Sequence, residues 1–133
     1  MPGARRAGIR RSRPRDLATG IGAPAEDLAG GPAFLSRYRA AGYQEEPGAY
    51  GAYAYDATWA VIEAVKAVAA ANGGALPADA RARMPEAVAG VAFDGVTGRV
   101  AFDEFGDTVD RRLTVHAVRG GAWKSVKSGL HTP

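Results

Sequence analysis

Tyr50, Tyr53 and Tyr55 place three aromatic rings within six positions of the run Pro47-Gly48-Ala49-Tyr50-Gly51-Ala52-Tyr53-Ala54-Tyr55-Asp56-Ala57. A tyrosine offers a large, rigid apolar face beside a polar tip, which suits packing against a small solute. Asp103, Glu104 and Asp107 gather acids in a second stretch, but a calcium loop needs ligands at alternate positions and a late glutamate. Neither is present, so no metal site is expected. Asp94-Gly95 and Thr97-Gly98 read as turn chemistry and not as phosphate cradles, because no helix follows them. His116 falls within a strand pattern and His131 near the end, and neither has a spaced partner. Ser12, Ser36, Ser125 and Ser128 show no nucleophile elbow. The chain has no cysteine, which excludes disulfides, thiolate metal sites and a cysteine nucleophile. No enzyme signature survives, and neither a catalytic residue nor a cofactor is expected.

The elements that must position these residues are helical first and extended later. Pro32 suits a first helical turn, Phe34, Leu35 and Tyr38 recur at helical spacing, and Gly42 offers a left-handed stop. This predicts a helix over about 32–41, preceded by loop-like residues 17–32. A longer helix is expected over 50–72, with Ala57, Val61, Ala64, Val65 and Val68 on one stripe and Asn72-Gly73-Gly74 as its end. Asp56 reads as a helix-start residue that offsets unpaired backbone donors. Tyr53 and Tyr55 lie on opposite sides of that element, and packing of helix on sheet accounts for them. A third helix is expected over 78–89, kinked or divided at Pro85. Beyond Gly90 the period changes to two. A hairpin is expected from about 99 to 118, turning at Glu104-Phe105-Gly106-Asp107. Gly120-Gly121 then signals a second turn before a short strand near 123–126.

Nearly half of the 133 residues are hydrophobic, yet alanine supplies much of that share and buries little area per residue. The core is therefore thin for a free-standing domain. Arg5, Arg6, Arg10, Arg11, Arg13 and Arg15 outweigh the net charge of +3, leaving residues 16–133 at −3. Residues 1–16 read as a disordered basic tail. They begin like a signal peptide but lack its apolar core. No stretch approaches the ~20 apolar residues of a membrane-spanning helix.

The tyrosine-rich run is followed, in order, by Phe93-Asp94-Gly95-Val96-Thr97-Gly98-Arg99-Val100-Ala101-Phe102-Asp103 and then Gly106-Asp107. Together with Phe34-x-x-x-Tyr38 upstream, this resembles the C-terminal part of the substrate-binding proteins of branched-chain amino acid ABC transporters. These are the leucine/isoleucine/valine-binding proteins of the type I periplasmic fold. The resemblance covers most of residues 17–133 and implies an α/β class: the last third of such a protein, with helices followed by a terminal β-hairpin. It further implies that residues from about 25 to 110 belong to one lobe and those from Leu113 to the other, with a hinge crossing near the strand that holds His116. It places Tyr50 where the family carries an aromatic that packs on the ligand. The implied ligand is an amino acid, typically leucine, isoleucine or valine, and the implied partner of the intact protein is a membrane ABC permease. The implied location is periplasmic or extracellular at the membrane.

Two other readings stand beside this one. The chain is a nonfunctional remnant of a truncated gene, or it is a small binding domain with a basic arm that contacts nucleic acid. The last would need basic side chains to continue onto the folded part, where Arg111 and Arg112 are the only clustered pair.

Overall fold

The computed structural model describes residues 16–131, and the tail expected over 1–16 lies outside them except for Asp16. Chain order runs from strand β1 (Leu17–Ile21) through a short 3-10 turn (Ala25–Asp27) to helices α1 (Gly31–Ala40), α2 (Gly51–Ala70) and α3 (Ala80–Ala89). Strands β2 (Ala92–Asp94), β3 (Arg99–Ala101), β4 (Arg112–Arg119) and β5 (Ala122–Leu130) follow. The three helices fall where the periodicity puts them. Gly42, at φ 76°, closes α1. Gly73 and Gly74, at φ 68° and 94°, close α2, with the Gly74 N–H reaching back to the Ala69 carbonyl at 2.9 Å.

Pro85 does not divide α3, which continues through it to Ala89. The ring removes one donor, but Met84, Ala87 and Val88 flank it on the side packed against Ala60 and Ala64 of α2, and that packing holds the helix together.

The buried stripe of α2 is Ala52, Asp56, Ala60, Ala64 and Val68, a strict i, i+4 row. Only Ala64 and Val68 belong to the expected stripe, while Val61 is half exposed. Small alanines at 60 and 64 let α3 approach closely. The core thus turns toward the smaller side chains and leaves the larger ones out.

The strands correct the sequence reading more than the helices do. Residues 17–21, expected as loop, form β1 and pair antiparallel with β4, Leu17 opposite Ala117 and Ile21 opposite Leu113. The expected 99–118 hairpin does not form. Arg99–Ala101 pairs back onto Ala92–Asp94, and a single bridge, Phe102 to Thr108, spans the Glu104–Asp107 turn. β4 instead takes β1 and β5 as neighbours, in the order β1-β4-β5. The Gly120-Gly121 turn forms as expected, with both φ angles positive at 61° and 77°, and β5 extends past Val126 to Leu130.

Most of the buried apolar residues form two groups, with Val68 and Val118 outside both. One joins Ala23, Leu28, Phe34 and Ala52 at the start of α2. The other joins Ala60, Ala64 and Val91 between α2, α3 and the β2-β3 ribbon. Among the described residues no helix is long and apolar enough to cross a membrane.

Candidate functional site

The N-terminal half of α2 organises everything around it. Tyr53 reaches across to the stretch after β1, where its hydroxyl accepts a hydrogen bond from the Ala23 N–H at 2.8 Å. Gly22, at φ 82°, lies so close that a Cβ there would stand 2.1 Å from the Tyr53 hydroxyl oxygen. From the other side, the Thr114 hydroxyl of β4 donates to the Gly22 carbonyl at 2.6 Å, and the Gly22 N–H donates to the Arg112 carbonyl at 2.7 Å. The passage from sheet to helices is therefore tied from both elements.

Asp56, one turn further along α2, is 3% exposed. Its carboxylate accepts hydrogen bonds from the Val96 N–H at 3.0 Å, the Thr97 N–H at 2.7 Å and the Thr97 hydroxyl at 2.7 Å. Three donors replace the water lost on burial. Asp56 is thus not a helix-start residue but a clasp on the turn between β2 and β3. Gly95 makes room for it, since a Cβ there would lie 2.5 Å from a carboxylate oxygen.

Two grooves open beside this framework. The larger, of about 1040 Å³, runs between α1, the start of α2 and residues 93–96. A row of five rings borders it: Tyr43 to Tyr38 at 4.8 Å between centroids, Tyr38 to Phe34 at 6.0 Å, Phe34 to Tyr55 at 5.5 Å and Tyr55 to Trp59 at 6.3 Å. The smaller groove, of about 340 Å³, lies between Ile21–Glu26, the α1 side chains Leu35 and Arg39, residues 46–49, and His116. Tyr50 follows directly on this wall. It occupies the position before the first helical residue of α2, is 68% exposed, and belongs to the walls of neither groove.

The acidic stretch near 103 is a turn held by its own donors. The Asp103 carboxylate accepts from the Phe105 and Asp107 N–H groups, both at 2.9 Å, and pairs with the Arg111 guanidinium. Partial desolvation works upward on its pKa, but the backbone donors of Asp107 and Phe105 and then Arg111 outweigh it and hold the group below its ordinary 3.8. Arg112 lies 4.0 Å from Asp110. Both members of the Arg111-Arg112 pair therefore face acids of the chain itself. Sequence reasoning missed the Asp56 clasp, although Asp94-Gly95 and Thr97-Gly98 had marked the turn it holds. It also missed the two grooves, whose walls come from segments far apart in the chain.

Residues 32–120 match the family described as "Receptor family ligand binding region", about two thirds of the chain. Among solved structures, a leucine binding protein from Thermotoga maritima superposes with a TM-score of 0.61 at 22% identity, covering 86% of this chain and 31% of that one. The solute binding protein of an ABC transporter from R. palustris, in complex with benzoate, superposes with a TM-score of 0.58 at 20% identity, covering 86% and 30%. The fold is accordingly a portion of the type I periplasmic-binding-protein fold, three helices with antiparallel sheets, and the chain spans under a third of either structure. A comparison with curated protein sequences finds no match.

Proposed function

Because the chain belongs to the receptor family ligand binding region family, we propose that it is a solute-binding portion of an ABC importer for branched-chain or related amino acids. It binds without chemistry and without a cofactor, and the intact protein hands its solute to a membrane permease from the periplasmic or extracellular side. The observation that carries this reading is the family match over 32–120, which includes α1, α2 and the turn clasped by Asp56. The wall of the smaller groove ends at Ala49, next to Tyr50 in the sequence, which supports the reading. Tyr50 is read as an aromatic face that packs on the solute, and its free, exposed ring is available for that contact.

A one-sided groove leaves much of an amino acid's charge in water, so affinity of the chain alone is expected near millimolar, about 4 kcal/mol. Isothermal titration with leucine, isoleucine, valine and benzoate tests the reading. Saturable heat with at least one aliphatic amino acid supports it. A response to none of them, by a chain whose circular dichroism shows folded helix, overturns it.

A further inference from the structure

We propose that the open edge of β5 is a docking site for an extended segment of another protein that carries acidic residues at alternate positions. The inference concerns a surface and does not depend on the solute-binding reading. It begins with the direction in which the backbone of β5 points. In an antiparallel sheet a residue's N–H and C=O leave the strand on the same side, and that side alternates along the chain. The Val118 N–H donates to the Asp16 carbonyl at 3.1 Å, and the Arg112 carbonyl accepts from the Gly22 N–H at 2.7 Å. Val118, His116, Thr114 and Arg112 therefore serve the β1 side of β4. Their partners in β5 are Trp123, Ser125, Ser128 and Leu130. These four turn both backbone groups away from β4, and among the described residues no strand lies there. His131, next in the alternation, points the other way and donates to the Arg111 carbonyl at 2.8 Å. A bulge at Val126, where the register shifts opposite Val115 and His116, interrupts the row once.

A row of open donors and acceptors on an exposed strand is a template for one more strand. Side chains decide which. Lys124 and Lys127 pair with Ala117 and Val115, and so lie on the sheet face opposite to that of Trp123, Ser125 and Ser128. β5 contains no acid, and neither lysine has an ion pair or side-chain hydrogen bond among the described residues. On an added strand, residues opposite Trp123 and Ser125 would exchange backbone hydrogen bonds with them. The residue between faces Lys124 in the closer, non-hydrogen-bonded pairing. A carboxylate there meets an unpaired ammonium, and a lysine there is repelled. A second copy of β5 brings lysines and no acid, so the charges that invite an acidic strand oppose self-pairing. A nucleic acid would satisfy the lysines but has no alternating N–H and C=O groups to match the row. The lysines thus act as a filter on which strand the edge accepts.

The probe is a capped peptide of alternating glutamate and valine, titrated at neutral pH into the full chain labelled with nitrogen-15 and followed by two-dimensional NMR. Saturable shifts at Trp123, Ser125, Ser128 and Leu130, with slower amide hydrogen exchange there, are the expected result. Methylating the valine nitrogens removes the donors that face β5 and should abolish these shifts. Lys124→Glu should weaken the acidic peptide about tenfold, as attraction becomes repulsion. The same variant should favour a peptide with lysine in place of glutamate. The side chain is exposed, so the variant should keep the wild-type spectrum elsewhere. Equal binding of the methylated peptide would reduce the contact to charge alone and overturn strand addition. Shifts of the same amides on concentrating the chain without peptide would assign the edge to a second copy. Tighter binding of a short DNA duplex at those amides would assign it to nucleic acid, and either result overturns the proposal. So does a folded chain that responds to neither peptide.

Discussion

The region around the first half of α2 and the outer strand β5 are built on opposite plans. Around α2, buried polar groups are satisfied by donors and acceptors from far along the chain: Asp56 by residues forty positions on, Tyr53 by Ala23, Gly22 by Thr114. Along β5 all nine residues are exposed, and among the described residues its other edge pairs with no strand. The difference teaches where this chain is specific. A buried polar bond tolerates no substitution that leaves its partner stranded, whereas an exposed strand tolerates most changes because water replaces whatever is lost. Order of the clasp and order of the hairpin should therefore respond very differently to mutation.

The largest expected effect is that of Asp56→Ala. It strands two backbone donors and one hydroxyl in a partly buried place, which should cost about 3 kcal/mol. Urea unfolding followed by circular dichroism measures it. A shift in midpoint no larger than that of a surface variant would show that the clasp is incidental. Gly22→Ala comes next. The backbone there is left-handed and a Cβ would collide with the Tyr53 hydroxyl, so a loss of roughly 2 kcal/mol is expected in the same measurement. If the variant is as stable as the wild type, the sheet and helices are not tied through this passage.

How much of this contrast was legible in the sequence follows from the range of each interaction. The helices were legible because their signals are local: Pro32 at one end of α1 and Gly42 at the other, Asn72-Gly73-Gly74 after α2. β1 was not, because Leu17-Ala18-Thr19-Gly20-Ile21 reads as loop by composition and becomes a strand only when β4, about a hundred residues later, supplies its ladder. The 99–118 hairpin failed for a related reason. The Glu104–Asp107 turn was read correctly as a turn, but the strand before it finds a nearer partner in Ala92–Asp94. The role of Asp56 was hidden, since nothing beside it in sequence announces Thr97. Tyr50 was singled out by family resemblance alone, and the structure leaves its ring 68% exposed.

The Asp103 turn lies between the two plans, half buried and held by its own donors, and pH sharpens its place. Its folded pKa is lowered, so the group stabilises the fold fully above its ordinary 3.8 and loses that contribution as pH falls through the lowered value. Asp103→Asn removes the titration. The stability gap between wild type and variant should be present at neutral pH and close in the acid range. A gap that is constant with pH would mean the carboxylate's charge is irrelevant. On β5, Lys127→Ala should change stability by less than about 0.5 kcal/mol, as surface positions do. A larger loss would place β5 on the side of the clasp.

Tyr50→Ala is the smallest expected effect on stability and the one most tied to function. The ring is 68% exposed and packs in neither buried apolar group, so truncation should leave the unfolding midpoint unchanged within about 0.5 kcal/mol. Affinity is a separate matter. If the ring covers the side chain of a bound aliphatic amino acid, removing it should weaken binding by roughly 1–3 kcal/mol, the scale of a lost aromatic contact. A millimolar interaction would then pass out of the measurable range, so the comparison is best made as a ratio of NMR shift slopes for leucine against wild type and variant. Equal slopes with equal stability would make Tyr50 an ordinary surface residue. A fall in slope with stability unchanged would separate binding from folding at this position, which no residue of the clasp can do, because each of those is needed for the fold before any solute arrives.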